Sequence, residues 1–177
     1  MGESKIDMSM DEVMIIGGVL ELREKTPKSI MTPLDQVFML SQDADLNDEL
    51  FRTLQQKGFS RVPVFSGERT NIVGMILVKN LLTHDTDEKL KVKDLQLSPL
   101  PRFMADYSLF SIFHEFKLGK SHMGIVEMSQ AGRRYPIGII TLEDLIEELI
   151  QQEIIDETDE VFERIIMEIF TLLVIGY

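Results

Sequence analysis

Cysteine and tryptophan are absent from this 177-residue chain. Without thiols there is no disulfide, no cysteine nucleophile and no zinc–thiolate site, and a reducing compartment is expected. Cations are scarce: 18 Lys and Arg stand against 30 Asp and Glu, a formal net charge of −12. Nucleic acid and anionic bilayers call for a basic surface, so both are disfavoured as direct partners. The three histidines, His84, His114 and His122, are scattered and form no ligand cluster. The N-terminus is polar and acidic, unlike a signal peptide. No apolar run is long enough for a bilayer. The stretch Ile165–Ile175 is interrupted by Glu168, and a spanning helix needs about twenty residues. Catalytic signatures are missing as well: no G-x-S-x-G, no P-loop and no H-E-x-x-H. His114-Glu115 falls mid-helix between core aromatics, a poor setting for an acid/base pair. No enzyme activity is expected.

What the chain does have is a repeat. Residues 72–82 read I-V-G-M-I-L-V-K-N-L-L and residues 137–147 read I-G-I-I-T-L-E-D-L-I-E. Placing Gly138 under Gly74, an offset of 64, puts Leu77 on Thr141, Lys79 on Glu143, Asn80 on Asp144 and Leu81 on Leu145. Upstream the offset is 62: Leu50, Phe51, Leu54 and Val64 fall on Ile112, Phe113, Phe116 and Val126. The two-residue difference belongs to the loop between. A unit of this length is too long for a solenoid repeat. It predicts two copies of one small unit packed about a pseudo-two-fold axis. Where the copies differ, one carries chemistry that the other lacks.

The pattern within each copy is strand–helix–strand–strand–helix, an α/β (α+β) architecture. An N-terminal helix over Met8–Arg23 starts at a Ser9/Glu12 capping box. Its Gly17-Gly18 pair weakens it and implies a close packing contact or a bend. Pro27 and Pro33 mark an extended linker. Val37–Leu40 reads as a strand. Asp45 or Asn47 caps a helix that runs to Lys57 and stops at Gly58. Arg61–Phe65 is a strand, Ser66–Asn71 a turn, and Ile72–Val78 an apolar strand of the buried parallel kind. Lys79–His84 is a short helix. In the second copy Pro99–Met104 is extended. Ser108–Leu118 is a helix with Leu109, Ile112, Phe113 and Phe116 on one face. Met123–Met128 is a strand, Ser129–Arg134 a turn and Pro136–Ile140 a strand. A helix from Leu142 to Gln152 is capped by Thr141. The boundaries expected are 1–25 for a connecting helix, 26–85 and 86–155 for the two copies, and 156–177 for an acidic linker and apolar helical tail. That tail reads as a helix that docks on apolar surface, or else as a product of gene structure or truncation. Leu142, Leu145, Ile146, Leu149 and Ile150 are too many apolar residues for a free helix, which predicts burial against a second copy of the chain.

Three spots carry candidate chemistry. In Gly58-Phe59-Ser60-Arg61 a helix ends and a strand begins with a hydroxyl and a guanidinium. Arg61 suits a phosphate, or a surface ion pair. Thr141 and Asp144 sit at a strand-to-helix corner, where α/β sheets place ligands. A carboxylate there can hold a ribose, or can simply close a capping box. Met31-Thr32-Pro33 is extended chain that offers backbone groups to a base edge and a hydroxyl to phosphate. Glu143, Glu147, Asp144 and Glu148 lie at i, i+4 spacing. They suit a divalent ion or, since acidity continues through Glu153–Glu160, a solvated face.

These segments resemble a tandem pair of CBS motifs, a Bateman module. The similarity is specifically to the cytosolic module of the CNNM/CorC family of magnesium-linked membrane proteins, eukaryotic type. It rests on G-V-L-E-L-R-E-K-T-P-K-S-I-M-T-P at 18–33, F-S-R-V-P-V at 59–64 and G-E-R-T-N-I-V at 67–73. Further support comes from F-K-L-G-K-S-H at 116–122, G-I-I-T-L-E-D-L-I-E-E at 138–148 and I-I-D-E-T-D at 154–159. The resemblance implies a regulatory module that binds ATP, or another adenine nucleotide, with Mg2+, at one of two possible sites. Residue by residue it implies Thr32, Ser60 and Arg61 at the phosphates, with Phe59 beside them, and Thr141 and Asp144 at the ribose. Magnesium would be carried by the nucleotide. Leu77 and Asn80 lack the groups for a mirror site. The resemblance also implies a homodimer, a place on the cytosolic face of a membrane, and a parent transporter's membrane domain as partner. That membrane domain is not among these residues, so ion transport by this chain alone is not expected. The loop Ser129–Tyr135 is short where animal members dock a PRL-type phosphatase, which weighs against that partner. The alternative is a dimerisation or scaffold module without nucleotide.

Overall fold

The structure is a computed structural model that describes residues 10–81, 90–119 and 121–150. Ser9, residues 82–89, and the linker and apolar tail beyond Ile150 lie outside the described residues. Five helices are described: α1 (Met10–Glu24), α2 (Asp48–Lys57), α3 (Val78–Leu81), α4 (Leu109–Lys117) and α5 (Leu142–Ile150). The strands are β1 (Thr32–Pro33), β2 (Leu40–Ser41), β3 (Arg61–Phe65), β4 (Ile72–Leu77), β5 (Arg102–Met104), β6 (Met123–Gln130) and β7 (Arg133–Thr141). They form a three-stranded sheet of order β2-β3-β4 and a four-stranded sheet of order β1-β7-β6-β5. In each copy the first two strands are parallel and the last two antiparallel.

Local chemistry explains the helix ends. Asn47 is extended and its side chain accepts the Leu50 N–H, so it caps α2 in preference to Asp45; Gly58, at φ 69°, ends the helix. Ser108 caps α4 in the same way through the Ser111 N–H. All four expected apolar residues of α4 are buried.

The repeat is visible in the register. Val64 pairs with Gly74 in the first copy and Val126 with Gly138 in the second, and each hairpin has an irregularity just after that valine. The copies also exchange their lead-in segments. Thr32-Pro33 ahead of the first copy pairs with Ile139-Gly138 in the second sheet. Ser98 ahead of the second copy exchanges both backbone hydrogen bonds with Met75 in the first sheet, at 2.9 Å each. Both glycines lie under this exchange. A Cβ on Gly138 would stand 2.6 Å from the Thr32 carbonyl oxygen, and one on Gly74 would stand 3.0 Å from that of Ser98. Between the copies Met39 and Ile72 meet Ile125 and Ile139 in a shared apolar seam.

Several expectations need correction. The strand over Val37–Leu40 shrinks to Leu40–Ser41, because the Arg69 guanidinium takes the carbonyls of Leu34 and Val37 as the chain turns. β4 is antiparallel to β3, not a parallel strand. Its run is apolar because Met75 and Ile76, on opposite faces, are both buried. The linker is not extended throughout, since Pro27–Ser29 forms a short 3-10 turn. The turn over Ser129–Arg134 contracts to Ala131-Gly132, at φ 49° and 76°. Both residues are left-handed, as a tight hairpin requires. The apolar face of α5 does not wait for a second copy. Leu142, Leu145, Ile146 and Leu149 are buried inside the protomer, in one cluster with Leu22 of α1 and Ile112, Phe113 and Phe116 of α4.

The Gly17-Gly18 pair marks the closest approach of α1 to α5. A Cβ on Gly18 would lie 2.8 Å from the Leu149 carbonyl carbon and nearer still to its oxygen, whereas one on Gly17 meets nothing within 4 Å. Gly18→Ala should therefore force the helices apart and cost about 1–3 kcal/mol. At about 2–4 °C per kcal/mol, Tm should fall by several degrees. Gly17→Ala should instead raise Tm slightly, since alanine is favoured over glycine in an open helix position by about 1 kcal/mol. Calorimetric melts of the two neighbours check the packing; equal effects would refute it.

Candidate functional site

Each copy has a corner where its hairpin meets its last helix, and the two corners are built alike. Arg61, the first residue of β3, pairs with Leu77 at the end of β4. Met123, the first of β6, pairs with Thr141 at the end of β7. Just ahead, the Ser60 carbonyl accepts the Val78 N–H at 3.0 Å and the His122 carbonyl accepts the Leu142 N–H at 2.9 Å. Packing of the copies brings the corners face to face. Arg61 Nη1 lies 4.0 Å from Glu143 Oε1, and Nη2 lies 3.3 Å from His122 Nδ1. A cation from the first copy thus meets the strand-to-helix corner of the second.

At that corner Thr141 and Asp144 form a reciprocal box. Asp144 Oδ2 accepts the Thr141 N–H at 2.7 Å and its hydroxyl at 2.8 Å, and Thr141 Oγ1 accepts the Asp144 N–H at 3.2 Å. The capping role is therefore realised. It uses one carboxylate oxygen; Oδ1 takes no part in the box. Thr32 is opposite Ile139, two residues before Thr141 on β7. Cross-strand partners share a face, as do residues two apart. Thr32, Ile139 and Thr141 accordingly share the face that meets the first copy at the seam. Ser60 is exposed beside Arg61. Phe59, 43% exposed, stacks its ring on Phe38 at 5.7 Å. Among the described residues no three acidic groups gather to hold a metal ion: Asp144 serves Thr141, Glu143 faces Arg61, and Glu148 pairs with Lys25, just past the end of α1.

Two residues of this corner were not singled out in the sequence for it. Glu143 reads there as part of a divalent-ion group or of a solvated acidic face. His122 ends the motif F-K-L-G-K-S-H but was given no role there, although the repeat places it on Ser60 at the offset of 62. The exchange of lead-ins also has a signature, Thr32-Pro33-Leu34 against Ser98-Pro99-Leu100. The mirror corner has Met123 in the place of Arg61, Leu77 in that of Thr141 and Asn80 in that of Asp144. It holds no guanidinium, hydroxyl or carboxylate at these positions.

Burial pushes the Asp144 carboxyl up, the two hydrogen bonds from Thr141 oppose the rise, and Glu143 adds to it. A carboxyl raised on folding contributes stability below its ordinary value of about 4 and loses it as pH climbs through the folded value. Asp144→Asn does not titrate and retains an acceptor for Thr141. Its Tm relative to wild type should increase from pH 4 to pH 7. Thermal melts that show the difference moving the other way would mean that the first-turn charge on the helix dipole dominates instead.

Comparison with known proteins places this geometry. A CBS domain model matches residues 28–87. The protein MAM3 of Saccharomyces cerevisiae is 40% identical over 86% of this chain, and a DUF21 domain-containing protein of Arabidopsis thaliana is 32% identical over 89% of it. The chain spans only 22% and 56% of these two curated relatives. The CBS domain of the bacterial CNNM/CorC family Mg2+ transporter, solved in complex with ATP, superposes with a TM-score of 0.70 at 30% identity. That match covers 80% of this chain and 98% of the bacterial domain. The exchanged lead-ins, the paired hairpins and this coverage agree: the chain is a CBS module and belongs to the CNNM/CorC family.

Proposed function

We propose that this module binds an adenine nucleotide, ATP with Mg2+, at the corner formed by Arg61, Thr141 and Asp144. It thereby regulates a protein of divalent-cation homeostasis on the cytosolic face of a membrane. One observation carries the reading: the guanidinium of one copy meets, at Glu143 and His122, the corner that holds the hydroxyl–carboxylate pair of the other, while the mirror corner has none of the three. Arg61 and Ser60 would meet the phosphates, with Thr32 alongside. Asp144 Oδ1 is the acceptor left for ribose hydroxyls, and Phe59 lies at the edge. A bacterial relative's CBS domain is known in complex with ATP, which supports the assignment. Every interaction in the reading is binding rather than bond-making, so the module is read as regulatory and not as an enzyme. Pairing of two protomers belongs to the same proposal. The α5 face cannot supply that interface, being covered by α1 and α4.

A second reading has an observation of its own. Arg61 is already engaged by Glu143 and His122, and Asp144 by Thr141, so the corner is self-satisfied, as a scaffold module without nucleotide would be. Calorimetric titration separates the two. The nucleotide reading expects one MgATP site per protomer, with weaker binding when Mg2+ is withheld, because a chain of net charge −12 offers few cations to a polyphosphate. Arg61→Gln should weaken binding by about 1.5–3 kcal/mol, the range for a hydrogen bond to a charged group. No heat from wild type would establish the scaffold reading, and two sites would refute the asymmetry.

A further inference from the structure

We propose that His122 is a proton-gated member of the nucleotide site: it faces Arg61 as a neutral acceptor and gains a proton when a polyphosphate settles against the pair. The inference rests on the nucleotide reading above and adds to it a residue and a pH dependence. It begins with the contact of Arg61 Nη2 and His122 Nδ1 at 3.3 Å. A guanidinium has donors only and stays protonated. Nδ1 must therefore present its lone pair, which places the ring's single proton on Nε2. A second proton would set N–H against N–H and cation against cation.

The surroundings enforce this neutrality. Burial and the Arg61 charge both hold the imidazolium form down, burial first, while Glu143 pulls the other way. The charged groups that bear on the ring among the described residues are Arg61 from β3 and Glu143 from α5, with Asp144 one residue further along α5. The Leu142 N–H anchors the His122 main chain at the corner. A nucleotide polyphosphate brings several negative charges to the face of Arg61. The guanidinium then turns its donors to phosphate, the repulsion that kept the ring neutral is screened, and an imidazolium N–H becomes a second donor to the same anion. Proton uptake and nucleotide binding are then linked, so each strengthens the other. The repeat agrees with this assignment, since the position that holds a hydroxyl at Ser60 holds an imidazole at His122.

Two measurements on the full chain test the inference. In proton NMR, the His122 ring resonance is identified by its loss in His122→Asn. It should titrate below the ordinary value of about 6.5 without nucleotide and above it with saturating MgATP. In calorimetry, the affinity of wild type relative to His122→Asn should rise about fivefold from pH 8 to pH 6, within the limit of tenfold per pH unit for one proton. Comparing the two proteins at each pH cancels the nucleotide's own titration, and Asn keeps an acceptor for Arg61. MgATP binding with His122 titrating below 6.5 in both states, or with a pH-independent ratio of affinities, overturns this proposal alone. No MgATP binding at any pH overturns the nucleotide reading and this inference with it.

Discussion

The lead-in strand β1 can lie on β7 only because residue 138 has no side chain. The Thr32 carbonyl oxygen and the Met31 sulfur occupy the space a Cβ would need, at 2.6 and 2.7 Å. Gly74 makes the equivalent space for Leu97 and Ser98 in the other sheet. Each copy therefore holds the other copy's lead-in segment, β1 as a strand on β7 and Ser98 as a single bridge to Met75. This exchange fixes the relative placement of the copies before any side chain at the corner is considered. It also brings Thr32, which precedes the first copy, onto the same strand face as Thr141 at the end of the second. Close packing transmits small volume changes, so the site's geometry depends on two glycines that touch no ligand.

A second set of contacts secures the same arrangement from the flank. Glu127 is a buried carboxylate paired with Arg102, and the other arm of Arg102 donates to the Ile72 carbonyl at 3.0 Å, across the seam. Both partners belong to the second copy, and the buried carboxylate holds the half-exposed guanidinium in place. The hydrogen bond of Arg102 to Ile72 is what ties the copies together here. On the far side Lys25, just past the end of α1, bridges Glu21 and Glu148, and Leu22 is buried in the cluster that holds α5. The C-terminal part of α5, at Glu148 and Leu149, is thus held against the N-terminal helix and the residue that follows it.

The sequence was legible where a local signal coincided with the global fold. Gly58, Asn47 and Ser108 announced helix ends by side-chain chemistry, and the α4 stripe announced burial by its period. The offsets of 62 and 64 anticipated the matched Val64–Gly74 and Val126–Gly138 pairings. Legibility failed where a non-local partner decided. Arg69, 35 and 32 residues from Leu34 and Val37, curtails the strand before Leu40 by taking their two carbonyls. The hairpin tip around Arg133 and Arg134 is exposed, so it lacked the alternation that marks a strand. The apolar face of α5 was visible, but not that α1 covers it, because nothing local names the partner of a helix face. At the corner, Arg61, Thr141 and Asp144 stood out through motif and repeat asymmetry. His122 did not, since its chemistry arises only from the guanidinium that the fold sets against it.

The corner's self-satisfaction bears on which ligands it can favour. Arg61 already has a carboxylate at 4.0 Å and an imidazole at 3.3 Å, so a ligand gains only the difference between its own interaction and these. A neutral nucleoside offers nothing to Arg61 and leaves Glu143 as it stands. A single phosphate exchanges one anion for another and must tolerate Glu143 nearby. A polyphosphate outweighs the carboxylate, and a bound divalent cation lets Glu143 remain without repulsion. The existing contacts therefore act as a threshold. On the nucleotide reading proposed above they would discriminate by charge number rather than by shape, because an acidic side chain and a titratable one both engage Arg61.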